Sequence, residues 1–240
     1  MRKTDLLPEL PLPSFCSVYP ESVAEGAMSG QIFLPDNDER SALVWHFCGF
    51  GFILGEPDAE FLEEILRLML TAERRLVLFS DSMAVEGFFR SRKEIQAGKR
   101  LFFRYEGGLP EPDPSLLPIN RELLQAMDGK VVPRIFWENP EEFLKNGMGF
   151  CEVREGKPAA WAFSAAVSRK ELDIGVETAP GFQRQGLALK TAGAMIRFAM
   201  ETGRDPVWAC AETNAGSRKT AEKLGFIQSG SCLTFQKRSN

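Results

Sequence analysis

Apolar residues recur along this chain at two spacings, and the changes between them outline its elements. In "DAEFLEEILRLMLTAER", residues 58–74, Phe61, Leu62, Ile65, Leu66, Leu68 and Met69 follow helical spacing behind Asp58, a side chain suited to capping. The next stretch, "RRLVLFS", is a short apolar run that predicts a buried strand. Upstream, "SGQIFLPDNDERSALVWHFCGFGFILGE" holds two apolar runs around the turn-rich "PDNDER", which predicts strand, turn and second strand. The Pro-rich opening before it predicts an extended arm. A helix around "VEGFFRSRKEI" and a strand over "KRLFFRYE" follow.

Gly and Pro then concentrate in "EGGLPEPDPSLLPIN", where they disfavour helix and remove ladder donors. A domain boundary is expected near residues 106–118, dividing the chain into 1–112 and 113–240. Beyond it, "RELLQAM" predicts a helix, and "PEEFLKNG" a short one ended by Gly147. "GFCEVREGKPAAWAFSAAVSRKELDIGVET" predicts three strands joined at "REGK" and "SRKE". A helix from about 186 to 202, a strand "PVWACAE", a helix "AGSRKTAEKLG" and a final strand pair ending in "CLTFQK" complete the pattern. No internal repeat is visible in the sequence.

Composition narrows the function more than the fold. The 240 residues are 44% hydrophobic and 26% charged, an ordinary globular balance. A net charge of −4 without any block of like charges offers little to nucleic acid or to an anionic membrane, and neither is expected as a partner. The opening lacks the apolar stretch of a signal peptide, and no run approaches the roughly 18 apolar residues of a membrane span, so a cytoplasmic location is expected. Cys16, Cys48, Cys151, Cys210 and Cys232 are scattered without a CxxC pair and have only His46 to join them, so neither a metal site nor a disulfide framework is expected. His46 lies between apolar residues and reads as a hydrogen-bonded structural histidine.

The chemistry concentrates in "ELDIGVETAPGFQRQGLALK". A strand leads through a Pro-Gly turn to a long Ala-rich helix that starts without a Ser, Thr, Asp or Asn cap. Such a start presents free amides and about half a positive charge to one place, an anion site. Gly186 and the small Ala188 would let a phosphate or pyrophosphate approach the backbone, and Arg184 could add a charged contact. The alternative is that Gly186 only shapes the turn while Gln183, Arg184 and Gln185 are solvated. On the preceding strand, Glu171, Asp173 and Glu177 alternate with Leu172, Ile174 and Val176, which places the three carboxylates on one face. If that face lines a cleft, one of them could take a proton from a substrate ammonium.

The strand, "QRQGLA" and the later "NAGSRKTAEKLGF" together resemble the GNAT superfamily of acyl-CoA-dependent N-acyltransferases. Its Gln/Arg-x-x-Gly-x-Gly/Ala hallmark is met by Gln183, Gly186 and Ala188, with Asn214 and Ser217 following after an intervening helix and strand. The nearer likeness is to the branch grouped with zwittermicin-resistance acetyltransferases, carried by "GxGFCxV" (147–153), "DIxxET" (173–178), "GQIFLPDN" and "GFGFILGE". The resemblance implies a mixed, mostly antiparallel twisted sheet flanked by helices in a catalytic domain over 113–240. The α/β domain over 1–112 would then be degenerate or acceptor-shaping.

It further implies that acetyl-CoA is the co-substrate. Amides of Arg184, Gln185, Gly186, Leu187 and Ala188 would hold its pyrophosphate. The pantetheine arm would run along the strand edge that includes Val176 and Thr178, with Asn214 bonded to it. The Val176 amide would polarise the thioester, and one of Glu171, Asp173 and Glu177 would deprotonate the acceptor, a small-molecule amine. A homodimer is compatible with this picture. Many relatives carry a Tyr shortly after "LGF"; this chain has "LGFIQSGSCLTFQ" instead. Ser229, Ser231, Cys232, a water or Tyr105 could replace it as the acid, or none is needed. A second function class therefore stands beside the enzyme, a GNAT-fold module that binds acyl-CoA without turnover.

Overall fold

The computed structural model describes residues 1–238. In chain order, β1 (Arg2–Thr4), α1 (Val18–Ala24), β2 (Gly30–Leu34), β3 (Ser41–His46), β4 (Phe50–Gly55), α2 (Ala59–Thr71), β5 (Val77–Ser80), α3 (Met83–Arg90) and β6 (Ile95–Tyr105) form the first half. The second half comprises β7 (Leu117–Pro118), α4 (Arg121–Ala126), α5 (Pro133–Phe136), α6 (Pro140–Asn146), β8 (Gly149–Arg154), β9 (Lys157–Val167), β10 (Glu171–Thr178), α7 (Leu187–Glu201), β11 (Asp205–Ala211), α8 (Ala215–Leu224) and β12 (Phe226–Lys237).

Among the described residues, twelve strands share one sheet in the order β1-β2-β3-β4-β5-β12-β6-β11-β10-β9-β8-β7. Pairing is antiparallel except between β4 and β5 and between β10 and β11. The expected mixed, mostly antiparallel sheet flanked by helices is therefore present. The last strand, β12, is inserted between β5 and β6 and pairs along nearly the whole length of β6, so the two halves of the chain are stitched through their own hydrogen-bond ladder.

Periodicity explains which face each helix buries. α2 buries Phe61, Leu62, Ile65, Leu66 and Met69 against Leu43, Leu78 and Phe235, and each such side chain removed from water contributes about 1.5–3 kcal/mol. Asp58 accepts from the Phe61 amide at 2.8 Å and so caps the helix as expected. α7 buries Ala192, Met195, Ile196 and Ala199 against Leu172, Ile174 and Trp208 on the same side of the sheet. The opposite side carries α1 and an aromatic stack of Phe15, Tyr19, Phe50, Phe52, Phe79 and Phe102, which continues to Trp161 and Phe163.

Three expectations are corrected. The run 41–56 is two strands, because Phe47, Cys48 and Gly49 turn the chain; Gly49 has φ +91°, and a Cβ there would lie 2.6 Å from the Arg75 carbonyl oxygen. The final strand pair is one long strand whose register shifts between Gln228 and Gly230. The N-terminal arm holds α1, with Val18 and Tyr19 buried; Pro20 falls in the first turn, where its missing N–H costs nothing.

The topology also repeats where the sequence does not. β3–β4–α2–β5 and β9–β10–α7–β11 are each an antiparallel pair followed by a helical crossover to a parallel strand. Only hydrophobic patterning must be conserved for a topology to recur, so the two units share no motif. Among the described residues, no helix is long and apolar enough to cross a membrane.

Candidate active site

β10 and β11 pair only from Glu171–Asp205 to Asp173–Val207. Beyond that point β10 stays with β9 as far as Thr178–Ala160, whereas β11 stays with β6 as far as Ala211–Arg100. The strands therefore part, and a cleft of about 650 Å³ opens between 174–178 and 208–211. Ala179 N–H donates to Ala159 of the β9 edge, and alternation along β10 turns the amides of Ile174, Val176 and Thr178 the other way, into the gap. A bulge accompanies the opening: Ala165 is an extra residue on β9, opposite the Asp173–Ile174 step. Since the insertion is on β9, the period-2 alternation of β10 is unbroken.

The outer end of the cleft is the start of α7. Gly186 occupies its N-cap position with φ +79°, and among the described residues no side chain caps the first turn. An added Cβ at Gly186 would meet nothing within 4 Å. Arg184 also has a positive φ, 61°, a conformation that costs a non-glycine residue about 1 kcal/mol or more. Gln185 reaches back to the Gly181 carbonyl, and Leu187 is buried against Ala159 and Ala160, so its side chain is core and only its amide faces the helix start. Gln183, Arg184 and Ala188 line the cleft. The topologically equivalent α2 differs: the Asp58 carboxylate caps it and occupies the Phe61 amide, placing a negative charge where an anion would have to bind. A pyrophosphate fits the α7 start: its donors are free, the backbone is open to approach, and the dipole has the right sign.

Asn214 and Ser217 stand on the opposite wall. Asn214 caps α8, its Oδ1 accepting from Ser217 N–H at 3.0 Å, which leaves the amide Nδ2 as a donor at the cleft; Ser217 Oγ accepts from Trp208 Nε1 at 3.0 Å. Trp208, Trp161 and Phe163 are all buried, and Trp208 also borders the cleft.

The three carboxylates share a face but not an environment. Glu171 accepts from the Ser17 hydroxyl at 2.7 Å and lines a side cavity of about 300 Å³. Glu177 also borders the main cleft, accepts from the Val131 N–H at 2.7 Å and so ties down the loop before α5. Asp173 is 4% exposed, borders the cleft, and accepts from the Tyr19 hydroxyl at 2.6 Å through Oδ2, while its buried Oδ1 has no hydrogen-bond partner among the described residues. Burial raises its pKa to about 6, against the opposing pull of the Tyr19 hydrogen bond and the Arg100 charge. Burial likewise pushes the Tyr19 phenol well above its usual value, so it remains a donor.

Sequence reasoning did not single out Tyr19, Arg75 or Arg100, all of which border the cleft. Their only signal lay in three-dimensional proximity: Tyr19 is 154 positions from Asp173. Tyr105 donates to the Gly108 carbonyl and does not line the cleft, nor do Ser229, Ser231 or Cys232. His46 is fully buried, accepts from the Cys48 N–H, and burial drops its pKa to about 3, so it is a neutral structural group as expected. Among the described residues no three His, Cys, Asp or Glu side chains form a group suited to a metal.

A family model described as GNAT acetyltransferase matches residues 17–235. A GCN5-related N-acetyltransferase-like protein from Streptococcus suis superposes with TM-score 0.73 at 22% identity, over 90% of each chain. A GCN5-related N-acetyltransferase from Kribbella flavida gives 0.55 at 16%, over 84% of this chain and 88% of its own. A tandem GNAT protein from the clavulanic acid biosynthesis pathway gives 0.57 at 12%, over 97% and 92%. At these identities the likeness is one of fold. No curated protein matches the chain in sequence.

Proposed function

The chain belongs to the GNAT acetyltransferase family, and from that premise we propose that it transfers an acetyl group from acetyl-CoA to a primary amine of a small molecule, both bound at once. The observation that carries the reading is the continuity of one cleft from the uncapped start of α7, past the amides freed where β10 leaves β11, to the buried carboxylate of Asp173 at its wall.

Acetyl-CoA supplies the thioester. The amides of residues 184–188 hold its pyrophosphate, with Gln183 and Arg184 at the rim; Asn214 donates Nδ2 to the pantetheine arm along the edge of β10 that ends at Thr178. The Val176 amide donates to the thioester carbonyl oxygen as charge builds on it, which costs no reorganisation because the strand already aims it. Of the three strand carboxylates, Asp173 is the one we assign as base: it borders the cleft with one buried oxygen left without a hydrogen bond among the described residues, and a pKa of about 6 leaves it largely ionised at neutral pH yet more basic than an ordinary aspartate. Tyr19 fixes its rotamer and stabilises its charge. Glu171 and Glu177 keep their hydrogen bonds to Ser17 and Val131, holding the walls.

In this reading residues 113–240 bind acetyl-CoA and residues 1–112 shape the acceptor end, to which they contribute Tyr19, Arg75 and Arg100. "GQIFLPDN" and "GFGFILGE" support a place in the branch grouped with zwittermicin-resistance acetyltransferases. We place the reaction in the cytoplasm.

The test pairs thiol release, followed with 5,5′-dithiobis(nitrobenzoate) across a panel of amines, with calorimetric titration of acetyl-CoA and desulfo-CoA. Thiol release dependent on amine supports the transferase. Tight binding of acetyl-CoA without turnover of any amine would instead support a non-catalytic acyl-CoA-binding module, the reading that a buried carboxylate of raised pKa at the cleft wall disfavours.

A further inference from the structure

The acceptor end of the cleft holds two arginines that the acetyl-transfer chemistry does not use. Arg75 comes from the turn before β5, and Arg100 from β6, which the β12 insertion carries into the second half of the sheet. Arg100 lies over the Phe50 ring at 5.0 Å and donates to the Ala209 carbonyl at 3.3 Å, so its guanidinium is fixed on the aromatic side of the sheet, the side of Tyr19 and Asp173. That is the side opposite α7.

Among the described residues neither arginine has a carboxylate in ion-pair contact. Burial and the like charge of Arg100 both lower the pKa of Arg75, and the Arg100 charge reaches Asp173 without pairing to it. Two guanidinium groups on one partly desolvated wall repel each other, and a folded chain does not gain by holding them there unpaired. An anion between them reverses the sign of that cost. The α7 start, on the other side of the sheet, already supplies donors for a pyrophosphate, so the arginines are left for the second substrate.

Resting on the acetyltransferase reading, we propose that the acceptor is a zwitterion: an amine that also carries an anionic group, its ammonium facing Asp173 and its anion held by Arg75 and Arg100. Planar guanidinium groups bind carboxylate and phosphate alike through paired N–H donors, so the shared chemistry is an anion a few bonds from the amine. Amino acids and phosphorylated amines both meet it. Simple polyamines do not, although the chain's net charge of −4 would attract them over long range.

The experiment compares kcat/KM for matched pairs: each of a panel of L-amino acids against its decarboxylated amine, and O-phosphoethanolamine against ethanolamine. In the wild type the anionic member of a pair is expected to be preferred by about ten- to a hundredfold, the value of a lost charge-assisted contact. Arg75→Met is expected to collapse that ratio towards one, and Arg75→Lys to restore part of it; the Arg75 side chain lines the cleft and makes no hydrogen bond to the described residues, so both variants should fold, as circular dichroism would verify. A preference confined to the amino-acid pairs identifies the anion as carboxylate; one confined to the phosphate pair identifies phosphate. Decarboxylated and unphosphorylated amines turned over as well as their partners, or a ratio unmoved by Arg75→Met, would overturn the proposal and leave the transferase standing. Absence of turnover for every member, with acetyl-CoA still bound by calorimetry, would bring down the transferase reading and this proposal with it.

Discussion

Replacing Asp173 by Asn should make the protein more stable at neutral pH and nearly inactive. The carboxylate is buried, satisfied at one oxygen only, and its pKa rises from 3.8 to about 6 on folding. A shift of about two units corresponds to about 3 kcal/mol between the two protonation states. Since the folded pKa is above the unfolded one, the contribution is fully present below about pH 4, where both states are protonated, and is lost as pH rises through about 6. Asn stays neutral throughout and avoids that loss. Its amide still leaves one polar atom poorly paired, so a gain of about 1–3 kcal/mol is expected at pH 7.5. At about 2–4 °C per kcal/mol for a chain this long, the difference is readily measured. Thermal unfolding of both proteins at pH 4 and pH 7.5, with acetyl transfer assayed at pH 7.5, provides the test. The melting curves should diverge only at the higher pH, while kcat falls by about 10²–10⁴, the usual value of a positioned base. An Asp173→Asn protein that is less stable at pH 7.5, or retains most of its activity, would refute the assignment of a strained, functional carboxylate.

Two further outcomes follow from neighbouring contacts. Tyr19→Phe removes the hydrogen bond that favours the ionised form of Asp173, worth about 1.5–3 kcal/mol, so the acid limb of the kcat/KM profile should move up from about 6 by about one to two units; an unmoved limb would detach Tyr19 from the base. Asn214→Asp keeps an acceptor for the Ser217 amide but loses the Nδ2 donor, whereas Asn214→Ala loses both. Asp should hold the melting temperature while weakening acetyl-CoA binding in titration calorimetry, and Ala should also destabilise α8 by about 1 kcal/mol; equal affinity for the wild type and the Asp variant would remove the pantetheine contact.

The C-terminal half was legible because its signals are local. Alternation in "ELDIGVET", the Pro-Gly turn and the uncapped helix lie within about 30 residues, and β10, the loop and α7 follow in that order. The six apolar positions of 58–74 likewise suffice for α2, since spacing alone decides which face is buried. What escaped the sequence depends on tertiary pairing. Nothing local tells that β12 enters between β5 and β6, or that "SALVWHFCGFGFILG" turns at Gly49, where the close approach of the Arg75 carbonyl is a long-range contact. The acceptor end was hidden for the same reason. Tyr19, Arg75 and Arg100 lie on three separate elements or turns and border the same cleft as Asp173 only because α1 and the aromatic stack pack on the face opposite α7. A lone arginine in a loop and a tyrosine in a Pro-rich opening carry no pattern of their own.

The central claim, that acetyl-CoA lies with its pyrophosphate on the start of α7, is tested most directly at Gly186. Its φ of +79° is one that Asn adopts more readily than other residues with a side chain, and an added Cβ meets no protein atom within 4 Å, so Gly186→Asn leaves the fold intact and places its side chain where the phosphates must approach. Titration calorimetry of acetyl-CoA into the wild type and this variant is predicted to show affinity lower by about tenfold or more, with at least about 1.4 kcal/mol of binding free energy lost. Unchanged affinity in a variant with native circular dichroism would contradict the account.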